Sequence, residues 1–61
     1  MIVPLEKIKS SKEFVLLGAN HVFISEHDTG QEASKAVSDY VRQTGREAHI
    51  YRKTNKGWVR H

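Results

Sequence analysis

The sequence predicts an α+β fold: a single small β-β-α-β-β domain with a mainly antiparallel sheet and one helix packed on one face. Three observations predict it. A helical stripe of apolar residues runs through 31–44. Two runs rich in β-branched and aromatic residues precede it, and an alternating stretch closed by a turn follows it. With 61 residues there is room for one core only. A chain of that size buries roughly 60% of its unfolded surface and holds a net stability of about 3–5 kcal/mol.

Residues 1–12 read as an N-terminal arm of uncertain structure, and 13–61 as the domain. Ile2, Val3, Leu5 and Ile8 are apolar enough to pack, whereas Pro4 weakens a central strand and Lys7, Lys9 and Lys12 keep the segment wet. An edge strand, a short helical turn and a docking arm all fit. Glu13–Leu17 and His21–Ser25 then read as the strands of a hairpin, joined by Gly18-Ala19-Asn20.

The helix is the most legible element. Ala33, Ala36, Val37, Tyr40 and Val41 follow the i, i+3, i+4, i+7, i+8 series of one buried stripe, which Thr44 extends. Thr29-Gly30-Gln31-Glu32 has the form of a capping box, with Asp28 as an alternative cap. Gly45 stands where a left-handed residue would end the helix, and Arg42 suits the negative end of its dipole. Glu47–Lys53 alternates as a half-buried strand. Thr54-Asn55-Lys56-Gly57 forms a type I turn, and Trp58-Val59-Arg60 returns as the last strand.

One helix covers one face of such a sheet. Val22, Ile24, Ala48 and Ile50, with Val59 or Trp58, are expected beneath it. The other face then carries Phe23, His49, Tyr51, Lys53 and Trp58, with His21 and Ser25 beside them. Two expectations compete for this candidate binding face. Aromatic rings among cations form a stacking platform for single-stranded nucleic acid. Alternatively, the rings are buried against a second copy, giving a homodimer, or under the N-terminal arm.

Charge is unevenly spread. Residues 1–41 carry four basic and six acidic groups, net −2, whereas 42–61 carry six basic and one acidic, net +5. Arg42, Arg46, Arg52, Lys56 and Arg60, joined by Lys53, make a candidate basic patch for a polyanion or an acidic partner, or else a solubility feature. No helix-turn-helix, zinc-finger or RNP1-like signature accompanies it.

Enzymatic chemistry is not expected. There is no cysteine, hence no disulfide and no thiolate nucleophile or ligand. His21, His27, His49 and His61 lack metal-ligand spacing; His21 and His49 across neighbouring strands would give two ligands at most. His27-Asp28 stands where a strand gives way to the helix, without a nucleophile elbow or phosphate loop. The serines have no nucleophile context, and Gly30 alone is a weak anion signal. No cofactor is expected. No run nears the ~18 apolar residues of a membrane span, and the start resembles no signal peptide, so a cytoplasmic domain is expected. The expected function is a non-enzymatic binding or regulatory module working through protein–protein contacts, with nucleic-acid binding as the alternative.

Overall fold

The computed structural model describes residues 2–61; Met1, at the start of the expected arm, lies outside the described residues. Five strands and one α-helix follow the chain: β1 (Ile2–Val3), β2 (Phe14–Leu17), β3 (Phe23–His27), α1 (Gly30–Thr44), β4 (His49–Thr54) and β5 (Gly57–Arg60). The strands form one sheet in the order β1-β5-β4-β2-β3, with every neighbouring pair antiparallel. The α+β class is as expected from the sequence, with β1 added as an edge strand. β3 and β4 flank β2 and so run parallel to each other. A connection between parallel strands must cross a face of the sheet, and α1 is that crossover.

The local signals of α1 operate largely as the sequence implies. Thr29 is the N-cap, its Oγ1 accepting from the Glu32 amide at 3.1 Å. The reciprocal half of the capping box, from the Glu32 carboxylate, does not form among the described residues. Gly45 ends the helix at φ 70°, its amide donating to the Val41 carbonyl at 2.9 Å. Ala33 is fully buried, and Ala36, Val37 and Tyr40 are half-buried. Val41 and Thr44 are a correction to the stripe: both are exposed, and the buried stripe ends at Tyr40. Thr44 instead donates its hydroxyl to the Tyr40 carbonyl.

The first hairpin departs from the sequence reading. Its turn is longer than Gly18-Ala19-Asn20, since Ala19–His21 forms a 3-10 turn and Asn20 and His21 both adopt left-handed φ, 58° and 59°. Asn tolerates that region better than most residues. The Gly18 amide closes the loop on the Val22 carbonyl at 2.8 Å, and β3 starts at Phe23 rather than His21. A bulge follows. Leu16 faces Ser25 and Leu17 faces Phe23, so Ile24 is the extra residue and Phe23 and Ser25 take opposite faces.

Residues opposite each other across a ladder share a face. Val3, Trp58 and Lys53 thus lie on one side with Tyr51, Val15, Glu26, Leu17, His49 and Phe23. Helix α1 covers the opposite side, where Phe14, Leu16 and Ile50 stand and the Phe14 ring lies against the backbone of Gly30. Trp58 therefore does not face the helix, and Val22 is 60% exposed rather than packed beneath it.

The aromatic face is not open. Residues 4–12 run across it, through a 3-10 turn at Leu5–Lys7, and Val3, Ile8, Val15, Leu17, Tyr51 and Trp58 form one buried cluster. Trp58 is fully buried and Tyr51 is 6% exposed. Fully burying each aliphatic side chain contributes about 1.5–3 kcal/mol, so this cluster is a major source of stability. Gly57 admits β1. At φ 135° it brings its Cα so near the strand that a Cβ would stand 2.5 Å from the Val3 carbonyl oxygen. α1 leaves this face uncovered, as expected, and of the two expected covers it is the N-terminal arm that buries the rings. The segment before β2 supplies the second layer.

Candidate functional site

The five residues of the candidate binding face share one side of the sheet, as the alternation implied, but not one accessible surface. Tyr51 and Trp58 are core residues. Lys53 lies 5.3 Å from the centre of the Trp58 ring, and its Nζ donates to the Ser10 carbonyl at 2.8 Å. Lys53 thus clamps the arm. Ser10 Oγ donates to the Glu26 carboxylate, and the Lys12 ammonium sits 3.0 Å from Asp28. Hydrogen bonding to Asp28, and then its charge, raises the Lys12 pKa above the ordinary 10.5. Asp28 serves this contact and leaves capping to Thr29.

The basic groups divide into two sets. In one, Arg52 reaches Glu13 at 3.4 Å, and Lys56 occupies the β4–β5 turn, where its amide donates to Thr54 Oγ1. In the other, Arg42 approaches Asp39 at 3.8 Å, Arg46 follows the helix and Arg60 ends β5. The expected single patch is therefore two smaller ones, because Arg52 and Arg60, on adjacent rungs of the β4–β5 ladder, face opposite sides of the sheet, and Lys56 stands at the turn away from Arg42 and Arg46.

The second set gathers the most chemistry. Arg60 Nη2 lies 2.9 Å from His49 Nδ1, and His49 Nε2 lies 3.1 Å from Glu47 Oε2. A guanidinium only donates, so Nδ1 accepts and the Nε2–H donates to Glu47. Glu47 and His49 are two apart and fall on one side of an extended chain, a signal present in the sequence. Arg60 joins them only through the register that sets it opposite Tyr51. His21 packs edge-on against Tyr51, with ring centres 5.9 Å apart, and does not meet His49 as a ligand pair. His27 Nε2 is 2.8 Å from Ser25 Oγ, and His61 lies edge-on to Phe14. Among the described residues no three His, Asp or Glu side chains come together as metal ligands.

Beside this chain of contacts the enlarged 18–22 turn leaves a cavity of about 300 Å³ between itself and the end of α1. Gly18, Ala19, Val22 and Ile24 line one side; Tyr40, Arg46 and Glu47 complete it. Val22 and Phe23 stand exposed at the start of edge strand β3, 60% and 46% respectively. This surface was missed in the sequence because it depends on the length of a turn.

Fold and surface together define a small α+β domain with an apolar, partly cationic end. No protein-family model matches the chain, and comparison with curated proteins and solved structures gives no match either. Among the described residues no helix is long and apolar enough to cross a membrane.

Proposed function

We propose that the chain is a small non-enzymatic protein-binding module that engages its partner through the end of the sheet where β3 begins. The observation that carries this reading is the exposure of Val22 and Phe23 on either side of an edge strand, next to the cavity. Neighbouring exposed apolar groups with a concave apolar site are the usual marks of an interaction surface. A cytoplasmic setting belongs to the same proposal. The homodimer loses its original motive, since residues 4–12 cover the face it was to bury. Self-association through Val22 and Phe23 is the form of it that this surface supports.

Nucleic-acid binding has less support. A stacking platform needs accessible rings, and of Phe23, Tyr51 and Trp58 the last two are buried, leaving Phe23 as the accessible one of the three. Arg52 and Lys53 are also engaged within the domain.

Selection of displayed random peptides on the wild-type chain, followed by measurement against a Val22→Ser, Phe23→Ser double variant, tests the reading. Selected peptides should lose about tenfold or more in affinity on the variant. Sedimentation of the same two proteins, alone and with mixed oligonucleotides at low salt, reads self-association and polyanion binding. Oligonucleotide binding that falls with salt and ignores the double substitution would replace this reading with the nucleic-acid alternative.

A further inference from the structure

We infer that the cavity beside Val22 receives one bulky apolar side chain of a partner protein, and that the residue next to it in the partner is acidic. The inference rests on the protein-binding reading and names the chemistry of the partner.

Size comes first. At about 300 Å³ the cavity stands at the lower limit for small-molecule sites, so it suits a single anchoring side chain better than a cofactor. Its inner wall is apolar and has little freedom to close. A Cβ at Gly18 would lie 3.2 Å from Ile24 Cδ1, so these two are already in close contact. The Gly18–Val22 hydrogen bond and the paired left-handed residues Asn20 and His21 hold the turn open around it.

Charge selects the neighbour. Two ionised side chains line the cavity, Arg46 and Glu47. The Glu47 carboxylate accepts from His49, whose other ring nitrogen is held by Arg60. Arg46 has no carboxylate within ion-pair distance among the described residues, whereas Arg42, one turn earlier, is answered by Asp39 at 3.8 Å. The unanswered charge at the rim is therefore positive. A guanidinium also offers the paired donors that a carboxylate accepts. A partner with an apolar anchor and an adjacent Asp or Glu satisfies both features, whereas an adjacent Lys or Arg would meet like charge.

Three blocked peptides serve as probes, titrated into the isotopically labelled protein and followed by backbone amide resonances. They are acetyl-Gly-Leu-Asp-Gly-amide, acetyl-Gly-Leu-Asn-Gly-amide and acetyl-Gly-Ala-Asp-Gly-amide. The Leu-Asp probe should shift the amides of Gly18, Ala19, Val22 and Arg46 with a Kd of about 1 mM, as expected of so small a ligand. The Leu-Asn probe should bind about three- to five-fold more weakly, the effect of one exposed ion pair. The Ala-Asp probe should give no localised shift. Arg46→Gln, at an exposed loop position, should bring the two Leu probes to the same Kd. Equal binding of the Leu probes to wild type, shifts centred on Arg52 and Lys56, or no shift at about 20 mM would overturn the inference. Peptides selected by display that depend on Val22 and Phe23 but show no acidic preference would overturn it too, while leaving the protein-binding reading intact.

Discussion

Replacing Gly57 with alanine tests whether the N-terminal strand is a working part of the core. Gly57 sits at φ 135°, a conformation that side-chain-bearing residues rarely adopt, at a cost of about 1–3 kcal/mol. The added methyl would also lie 2.5 Å from the Val3 carbonyl oxygen and 2.8 Å from Ile2 Cγ2. Neither contact is tenable, so β1 must move away from β5. Val3 is 3% exposed and packs with Trp58, and uncovering it costs about 1.5–3 kcal/mol more. Together the terms reach about 2.5–6 kcal/mol. That is comparable to the whole stability expected of a domain this small. Gly57→Ala should therefore be largely unfolded at 25 °C, with Trp58 fluorescence near that of the urea-denatured chain. Gly45→Ala is the control. It shares a positive φ, 70°, but nothing lies within 4 Å of its Cβ, so only the backbone term of about 1 kcal/mol applies. Urea melts in which Gly57→Ala costs no more than Gly45→Ala would refute the proposed close approach of β1.

Three further outcomes follow from the same structure. Thr29→Ala should cost about 0.5–2 kcal/mol in urea melts, because Thr29 Oγ1 is the acceptor for the Glu32 amide. Trp58→Phe should cost less than Leu17→Ala, for which about 2–5 kcal/mol is expected, because Trp58 Nε1 is buried without a partner among the described residues and its removal recovers about 1–3 kcal/mol of desolvation. The raised pKa of Lys12 means that its stabilising contact with Asp28 is fully present below 10.5 and is lost as pH rises through the raised value. The thermal midpoint of the wild type should therefore fall more steeply above pH 10.5 than that of Lys12→Gln, and parallel profiles would contradict the pairing.

Helix α1 was legible because its signals are local. Thr29, Gly45 and the stripe through Ala33 lie within a few residues of the groups they act on. Alternation likewise assigned Tyr51 and Lys53 to one side of β4 and Ile50 to the other, and residues on one strand cannot escape that geometry. What covers the aromatic side depends on contacts between distant parts of the chain. The Lys53 bond to the Ser10 carbonyl and the approach of Gly57 to Val3 have no signature at any fixed spacing. Ile8, apolar enough to pack, faces the cluster while its neighbours Lys7 and Lys9 project to solvent, but nothing local says which surface it meets. At the candidate site the difficulty was different. Two left-handed residues lengthened a turn, and the resulting two-residue delay of β3 moved His21 off the sheet and opened the cavity. Tyr51→Ala, which would probe stacking if the ring were accessible, instead removes a core side chain.

The pairing of Ile2 with Val59 determines how the domain yields to a load applied between its ends. In an antiparallel pair the start of one strand lies beside the finish of the other. Tension between the first and last residues then acts across the ladder and opens its hydrogen bonds one after another, as in a zipper. Strands pulled along their length would share the load among all their bonds at once. The two-residue β1 is thus the first element to peel away, and its departure bares the Trp58 side chain to water. The domain is mechanically weakest at the strand that completes its core, and the indole there would report the opening.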